Sequence, residues 1–335
     1  MGDILHALPA VAALRRAHPK WYLGWAVEPR WHALLSGDGG EMPLVDRTHL
    51  VNAKEWARAP LRGETLREIA ALRHALRAER YDLCIDLQGA VRSALAGRLA
   101  GAPRMIGEDR PRERAARWLF SERVATKGVH MIEQAVEVCE AAAGDRLPLV
   151  LPALPRNREA EVWAEELLRS GGRGPVVLLS PGAGWGAKRW PAERYGAVAA
   201  NLHAQGCTLL VNSGPEEQEI AAEVVRASGG VARAPAFTLE RLIAMTRRVC
   251  LVIAGDTGPL HLACALGKAV VGIYGPTDPK RNGPFGVPFR VLRHPESKRD
   301  HTRHAAPEAG LLTITPEQVA DAAKELLQER AHETS

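Results

Sequence analysis

Two turns in the second half of the chain carry the residue types that hold phosphate groups. The first turn, 255–258 (GDTG), follows the apolar run 251–254, and a helix with Pro259 in its first turn begins directly after it. The N-terminus of a helix presents free N–H groups and a partial positive charge. Because this helix follows an apolar strand through a tight turn, we expect its N-terminus to bind a phosphate-bearing ligand.

The second turn is the glycine-rich segment 181–191 (PGAGWGAKRWP), which follows a predicted strand at 175–180. Its glycines allow backbone amides to approach an anion, and Lys188 adds a positive charge. The segment lacks the GK[ST] ending of a Walker loop, and taken alone it also fits an ordinary loop. Two phosphate-competent turns, each at the carboxyl end of a strand, together favour one diphosphate or nucleotide that contacts both.

Strand-like and helix-like segments alternate in both halves of the chain, which indicates an α/β fold with parallel, doubly wound sheets. Predicted strands lie at 21–28, 81–86, 175–180, 207–212, 251–254 and 269–274. Predicted helices lie at 4–18, 65–79, 129–143, 191–205, 216–227 and 238–247, and a last helix has Thr315 as N-cap and Gln318 completing a capping box. The proline-bearing stretch 147–156 predicts a linker between domains at 1–150 and 151–335, with a ligand cleft between the carboxyl edges of their strands.

The composition excludes several classes of protein. The chain has 335 residues, a net charge of +5 and an isoelectric point near 9.1, without a basic stripe of the kind that binds nucleic acid. Its five cysteines are odd in number and form no CxxC pair, which favours buried thiols over disulfides or metal ligands. No apolar run reaches the length of a membrane span and no signal peptide precedes Asp3, so we expect a soluble cytoplasmic protein.

Five motifs together resemble one family. They are MGDILHALPAV (1–11), IDLQG (85–89), SPGAGWGAKRWP (180–191), GDTGPLHLACALG (255–267) and YGPTDP (274–279). In these motifs the chain resembles the ADP-heptose:lipopolysaccharide heptosyltransferases of glycosyltransferase family nine, the type I enzymes more than type II. The resemblance implies a GT-B architecture of two Rossmann-like domains facing across a cleft. The domain at 1–150 would bind the acceptor, and the domain at 151–335, which ends in a helix, would bind the nucleotide-sugar.

The resemblance assigns catalytic roles to two residues. Asp3 matches the general base that takes the proton of the acceptor hydroxyl as it attacks the anomeric carbon. Lys188 matches the lysine that neutralises the leaving diphosphate. Asp3 also fits as the N-cap of the helix at 4–18, and the two roles are compatible. Lys188 also fits as a solvated lysine.

The resemblance also indicates donor-binding residues. Glu217 matches an acidic residue that is positioned to bind a ribose hydroxyl, and the neighbouring Glu216 is an alternative for this role. Phe237 falls where the family lines the base pocket, and it fits equally well as a residue of the hydrophobic core. Ala183 and Gly184 stand where type I enzymes often carry hydroxyl residues, so backbone contacts alone are expected there. The donor-binding set is Ala183, Gly184, Lys188, Glu217, Phe237, Asp256, Thr257, Gly258 and His261.

Acceptor contacts are expected in the first half of the chain. Lys54, Arg58 and Arg62 stand where the family has a basic loop, and they either meet phosphates of a Kdo-lipid A acceptor or form a solvated face. Gln88, in the IDLQG motif, belongs to the same acceptor-binding set. His301 and His304 are expected to be loop residues and not ligands.

The sequence therefore predicts an inverting glycosyltransferase that moves heptose from ADP-heptose to the inner core of lipopolysaccharide. It is expected to need no metal or cofactor, no nucleic acid and no obligate protein partner, and to act peripherally at the cytoplasmic face of the inner membrane. A family member with another donor sugar or with type II acceptor specificity is an alternative. A non-catalytic nucleotide-sugar-binding homologue is another.

A further expectation concerns the first strand. The resemblance places an apolar strand directly before the Gly-Asp motif, whereas Met1 here directly precedes Gly2. The first strand of a doubly wound domain is normally central and buried on both faces. We therefore expect that this strand is missing and that the working protein begins about ten residues earlier, the length of a strand and its turn.

Overall fold

The computed structural model of the protein describes residues 1–38, 43–169, 172, 174–214, 217–297 and 306–333. The chain divides into two compact units. Unit 1 consists of Met1 and Asp3–Pro155, and unit 2 consists of Gly2 and Arg156–Ser335. All strand pairs between described residues are parallel, as the alternation of strands and helices predicted.

Unit 1 has its parallel strands in two sheets. Its strands are β1 (Gly24–Val27), β2 (Arg47–Leu50), β3 (Leu83–Asp86), β4 (Arg104–Glu108) and β5 (Glu122–Val124). Its helices are α1 (Gly2–Ala17), α2 (Ala53–Arg58), α3 (Gly63–Ala78), α4 (Val91–Leu99) and α5 (Met131–Ala143). One sheet is β1-β2 and the other is β3-β4-β5. The expectation of a missing first strand stays a prediction, since the described residues do not test it.

Helix α1 begins earlier than the sequence predicted. Met1 is its N-cap, and no side-chain hydrogen bond caps the helix. The alternative role of Asp3 as N-cap is therefore wrong: Asp3 lies within the first turn, where its negative charge interacts favourably with the helix dipole. After Asp3, one side of the helix is buried, and its buried residues include Leu5, Leu8 and Leu14.

Unit 2 contains one parallel sheet with helices between its strands. The strands are β6 (Val176–Ser180), β7 (Thr208–Val211), β8 (Ala232–Arg233), β9 (Leu251–Gly255), β10 (Ala269–Tyr274) and β11 (Phe289–Arg293). The helices are α6 (Arg158–Arg169), α7 (Ala192–His203), α8 (Gln218–Ala227), α9 (Leu239–Arg248), α10 (Gly258–Ala265), α11 (Pro279–Asn282) and α12 (Pro316–Glu333).

The order of strands in this sheet determines where a ligand can bind. The order is β11-β10-β9-β6-β7-β8, so the chain starts in the middle, moves to one edge and then crosses to the other side of β6. This is the doubly wound order in which ligands bind outside the carboxyl ends of the two central strands. In unit 2 these strands are β6 and β9, which pair from Val177–Leu251 to Ser180–Ala254.

The central strands are buried on both faces. Every residue of β9 and of β10 is buried, which explains why both read as unbroken apolar runs in the sequence. Helices α7 and α12 cover this sheet through a core that includes Trp190, Tyr195 and Leu326. Trp190 is 1% exposed, and its indole N–H donates to the carbonyl oxygen of Ile314 at 3.1 Å. None of the helices formed by the described residues is both long and apolar enough to cross a bilayer.

The capping box predicted for the last helix is present. The Gln318 N–H donates to Thr315 Oγ1 at 3.3 Å, and the Thr315 N–H donates to Gln318 Oε1 at 2.9 Å. These bonds satisfy two backbone donors at the start of α12, which would otherwise lack partners within the helix.

Replacing Thr315 with Ala should lower the free energy of unfolding by about 1 kcal/mol, the usual effect of losing an N-cap hydroxyl. Chemical denaturation followed by circular dichroism measures the change. Thr315→Ser keeps the hydroxyl and should stay close to the parent protein. An unchanged denaturation midpoint in Thr315→Ala would contradict the stabilising role of the box.

Candidate active site

The two predicted phosphate turns of unit 2 both follow the central strands. Segment 181–191 leaves β6, and turn 255–258 joins β9 to α10. Because β6 and β9 are paired neighbours running in the same direction, the two turns lie at the same edge of the sheet. The structure thus brings together the two segments that the sequence singled out separately.

Asp256 connects these two turns. Its Oδ2 lies 2.5 Å from Lys188 Nζ, and its Oδ1 lies 3.1 Å from His261 Nε2. All three side chains are largely buried: 13% of Lys188, 5% of Asp256 and 6% of His261 are exposed. An ionised carboxylate can only accept hydrogen bonds, so His261 must carry a proton on Nε2. Asp256 therefore fixes both the position of Lys188 and the tautomer of His261.

The neighbours of Asp256 decide its charge. Burial alone would raise the pKa of Asp256, but the hydrogen bond from His261 and the charge of Lys188 outweigh it and lower the pKa well below its usual range. The side chain is consequently ionised at neutral pH. Lys188 also lies over the indole ring of Trp185, with Nζ 4.5 Å from the ring centroid. This contact supports the ammonium group on a second side.

The start of α10 provides hydrogen-bond donors beside Lys188. Thr257 is the N-cap and Pro259 occupies the first turn. Among the described residues, the Gly258 and Leu260 N–H groups have no backbone acceptor, whereas the His261 N–H donates to the Thr257 carbonyl oxygen at 3.4 Å. Free amide groups at a helix N-terminus next to an ammonium group form a binding site for phosphate oxygens.

The segment after β6 adds further backbone donors. Ala183 is half-buried and Gly184 is exposed, and a Cβ atom added to Gly184 would have no neighbour within 4 Å. None of the described backbone hydrogen bonds uses the N–H of either residue. Both are therefore free to donate to a ligand, as expected for a site that relies on backbone contacts here.

Glu217 lies at the carboxyl end of β7, close to the same edge. Its Oε2 accepts a hydrogen bond from the Gly214 N–H at 3.2 Å. A Cβ atom added to Gly182 would lie 2.0 Å from Glu217 Oε1, so the carboxylate occupies the space that a side chain at Gly182 would need. Glu217 thus faces the glycine-rich segment. Its rival Glu216 lies outside the described residues.

Phe237 has a well-defined packing role. It is 8% exposed and packs edge-to-face against Trp163 of α6, with ring centroids 5.4 Å apart. This contact accounts for its burial as core, and a role in a base pocket stays a prediction.

Thr277 was missed as a functional residue by sequence reasoning. It follows β10 in the YGPTDP motif and is 1% exposed, and its Oγ1 has no hydrogen-bond partner among the residues that the structure describes. A buried hydroxyl without a partner is costly, and it marks a place where a ligand or water can bind. The signal was in the sequence, because Thr277 lies in one of the quoted motifs just beyond a strand that neighbours β9.

Unit 1 contains the predicted general base. Asp3 Oδ2 accepts a hydrogen bond from Gln88 Nε2 at 2.9 Å and lies 3.4 Å from Arg112 Nη1. Within the described part of the chain, Oδ1 has no hydrogen-bond partner. The arrangement holds one carboxylate oxygen in place and leaves the other free to accept a proton. Sequence reasoning did not identify Arg112, which lies in an arginine-rich loop outside the quoted motifs.

The three basic residues expected at the acceptor lie nearby in sequence but in different elements. Lys54 and Arg58 are on α2, Arg62 is the N-cap of α3, and all three are exposed. No ion pair joins any of them to a described acidic side chain, which fits both a phosphate-binding face and a solvated one. His301 and His304 lie outside the described residues. Among the residues described, no cluster of His, Cys, Asp or Glu has the form of a metal site.

Comparison with known proteins places this arrangement in a family. The model for glycosyltransferase family 9 (heptosyltransferase) matches residues 69–310. Lipopolysaccharide heptosyltransferase 1 of Escherichia coli K12 is 30% identical over 305 residues, covering 88% of this chain and 91% of that protein. Lipopolysaccharide heptosyltransferase 2 of Salmonella typhimurium LT2 is 27% identical over 353 residues, covering 98% of this chain and 96% of that protein.

Solved structures agree with this placement. The E. coli heptosyltransferase WaaC with ADP has a TM-score of 0.78 and 25% identity, and the match covers 97% of both chains. A family 9 glycosyltransferase from Veillonella parvula has a TM-score of 0.81 at 22% identity, which shows likeness of fold. The resemblance read from the motifs is confirmed: the chain is a glycosyltransferase of GT-B fold and belongs to glycosyltransferase family 9, the heptosyltransferases.

Proposed function

We propose that this protein transfers heptose from ADP-heptose to the Kdo-lipid A inner core of lipopolysaccharide, with inversion at the anomeric carbon and without a metal ion. The observation that carries the proposal is the edge of the unit 2 sheet where Lys188 and the N-terminus of α10 meet. That edge suits a diphosphate. The relative WaaC of E. coli has been solved with ADP, which contains a diphosphate.

The proposed chemistry follows from the positions of Asp3, Lys188 and the start of α10. Asp3 Oδ1 takes the proton of the acceptor hydroxyl while the hydroxyl oxygen forms a bond to the anomeric carbon of the donor. The bond from that carbon to the phosphate oxygen breaks on the opposite face, which inverts the configuration. ADP leaves with the bonding electrons, and Lys188 together with the free amide groups of α10 stabilises its growing charge.

The remaining donor contacts have separate tasks in this proposal. Glu217 accepts hydrogen bonds from the ribose hydroxyl groups, since its carboxylate faces the glycine-rich segment at the sheet edge. Amide groups of Ala183 and Gly184 donate to phosphate oxygens. Phe237 contributes to the wall of the base pocket.

The acceptor proposal rests on charge. Lys54, Arg58 and Arg62 are exposed cations in unit 1, the unit that carries Asp3, and they suit the phosphate groups of lipid A. Gln88 holds Asp3 in place and lies where an acceptor hydroxyl must approach it. Because such an acceptor is a membrane lipid, we include peripheral association with the cytoplasmic face of the inner membrane in the proposal.

Type II acceptor specificity is the second candidate. The observation that favours it is the match to heptosyltransferase 2 proteins over nearly the whole chain. Purified protein should be given ADP-heptose with Kdo-lipid A, and in parallel the same acceptor already carrying one heptose. Preference for Kdo-lipid A supports the first candidate, and preference for the heptosylated acceptor supports the second. Binding of ADP-heptose without transfer to either acceptor would indicate a non-catalytic homologue, and a panel of other nucleotide-sugars tests donor choice.

Replacing Asp3 with Asn should lower kcat about 10²- to 10⁴-fold, the range for loss of a general base. The affinity for ADP-heptose, measured by calorimetry, should stay unchanged, because the donor contacts lie in unit 2. Asp82→Asn removes an exposed carboxylate of the same unit and serves as control. Near-normal kcat in Asp3→Asn would remove this residue from the mechanism.

Activity should survive removal of divalent cations, because Lys188 and the helix N-terminus take the place of a metal at the diphosphate. The test is the initial rate after dialysis against EDTA, with and without added Mg²⁺. Loss of activity that Mg²⁺ restores would contradict this part of the proposal.

Substitution of Lys188 tests the same explanation, that the protein itself neutralises the diphosphate. Lys188→Ala should both weaken donor binding and lower kcat, since the ammonium group acts on bound donor and on leaving group. Lys280→Ala, which removes an exposed lysine of α11, should change neither. Equal effects of the two substitutions would mean that Lys188 acts only by adding to the net positive charge of the protein.

Replacing Gly182 with Ala should weaken donor binding about 3- to 10-fold, the value of one hydrogen bond. The new Cβ displaces the Glu217 carboxylate, whereas the fold should hold because the displaced atoms are the end of a flexible side chain. Glu217→Gln should have a similar effect. In the double variant the two effects should not add, and full additivity in calorimetry would show that Gly182 acts independently of Glu217.

A further inference from the structure

The exposed face of helix α4 in unit 1 combines arginine with leucine. The exposed residues of this helix are Arg92, Leu95 and Arg98. Because they are spaced by three positions, they lie on one face of the helix. Leu95 is 52% exposed. No acidic residue belongs to α4, and within the described part of the chain no ion pair engages Arg92 or Arg98. The face therefore presents an apolar side chain flanked by two positive charges.

A second surface segment repeats this combination around Trp118. This residue lies in the 3₁₀ helix Arg114–Leu119 and is 76% exposed. The structure describes all eight tryptophans of the chain, and Trp118 alone is exposed. The guanidinium carbons of Arg117 and Arg123 lie 5.8 Å and 5.6 Å from the centroid of its ring. At this range a guanidinium group is attracted to an indole ring, so two arginines hold Trp118 at the surface.

The two segments are packed against each other. Ala94 of α4 shares one buried cluster with Ala116 of the 3₁₀ helix and with Phe120. The exposed side chains of both segments therefore lie on neighbouring parts of the surface of unit 1. We call this surface the Trp118 patch, and its members are Arg92, Leu95, Arg98, Arg117, Trp118 and Arg123.

The patch belongs to a segment with an excess of positive charge. Residues 91–124 contain eight arginines, no lysine and four acidic residues. Each acidic side chain already accepts a hydrogen bond: Glu108 from Thr126, Asp109 from Arg117, Glu113 from the Val91 N–H and Glu122 from Arg104. Most of the arginines are thus left to interact with groups outside the chain. The sequence showed no basic stripe because apolar residues separate these arginines along the chain.

We propose that the Trp118 patch docks the protein on the surface of an anionic lipid bilayer. Trp118 and Leu95 enter the interface below the headgroups, and the arginines bind lipid phosphates. Tryptophan favours this depth because its ring is apolar and its N–H is polar. The positive charge of the patch complements the negative charge of anionic headgroups.

The choice of a bilayer rests on the proposed function, in which the acceptor is a membrane lipid. Arg112 lies in the same segment as Trp118 and contacts Asp3, with its Nη1 3.4 Å from Asp3 Oδ2. Docking through the patch would therefore bring the proposed general base close to the membrane that holds the acceptor. A protein partner fits less well, since the centre of a protein interface is depleted of charge. In the Trp118 patch, arginines flank each apolar side chain.

The experiment measures sedimentation of the full-length protein with lipid vesicles, without donor or acceptor. One set of vesicles contains phosphatidylglycerol and phosphatidylethanolamine, and the other contains phosphatidylcholine alone. The protein should bind the anionic vesicles and should bind the neutral ones at least about tenfold more weakly. Binding to the anionic vesicles should weaken as salt is added, because salt screens the charges of the arginines.

One variant tests the tryptophan. Trp118→Ala should weaken binding to anionic vesicles about tenfold or more, because a large apolar side chain no longer enters the bilayer. Phe289→Ala is the matched control, since Phe289 is 44% exposed and also lies next to an arginine. That arginine, Arg290, is already ion-paired with Glu325 and Glu329, so it is not available to lipid phosphates. Phe289→Ala should bind vesicles like the parent protein.

A double variant tests the charges. Arg92→Gln with Arg98→Gln should weaken binding about fivefold for each arginine removed, the usual contribution of a basic residue near an anionic membrane. Arg158→Gln with Arg226→Gln removes the same charge from exposed positions of unit 2 and should have a much smaller effect. Circular dichroism checks that all variants are folded.

Four results would overturn the proposal. They are no binding of the parent protein to anionic vesicles, equal binding to neutral vesicles, unchanged binding of Trp118→Ala, and equal losses in the arginine double variant and its control. The transfer reaction is assayed separately, with an acceptor that lacks acyl chains and is soluble in water. There Trp118→Ala should match the parent protein. Absence of transfer in both would contradict the proposed function and would leave the vesicle result unchanged.

Discussion

The donor side of this protein depends on one buried carboxylate. A charge taken out of water is strongly unfavourable unless it is paired, and Asp256 is paired on both of its oxygens. The same two bonds hold Lys188, which comes from the segment after β6, and His261, which comes from α10. Removing Asp256 would leave the Lys188 ammonium group buried without its partner. The phosphate turns therefore form one site because a single side chain satisfies groups from both.

How much of the fold could be predicted depended on how completely each strand is buried. Strands β6, β9 and β10 are covered on both faces, so their sequences are unbroken apolar runs and their bounds were predicted within one or two residues. Strands β2 and β4 were missed, because RTHL and RMIGE carry polar side chains on exposed positions. Helix α4 was missed for a related reason, since Ala94 is its one fully buried residue.

For the candidate site, the sequence predicted the residues better than their partners. Lys188 and Asp256 lie in recognisable turns, but their ion pair joins residues 68 positions apart and follows only from the pairing of β6 with β9. The contact of Gln88 with Asp3 spans 85 positions and changes the expected task of Gln88 from acceptor binding alone to holding the carboxylate. Arg112 had no sequence signal apart from its charge. Residue types that suit a reaction can be read locally, whereas their mutual distances are set by tertiary structure.

The pairing of Lys188 with Asp256 also has a consequence for how a ligand arrives. Before a donor binds, the charges of Lys188 and Asp256 nearly cancel, so the field that this pair produces beyond a Debye length of about 8 Å at physiological salt is weak. The pair therefore adds little to the long-range attraction of a diphosphate, and its own attraction begins only when the diphosphate meets the amide groups of α10 and the near side of the ammonium group. Lys188 should accordingly contribute to holding the bound donor more than to drawing it in from a distance.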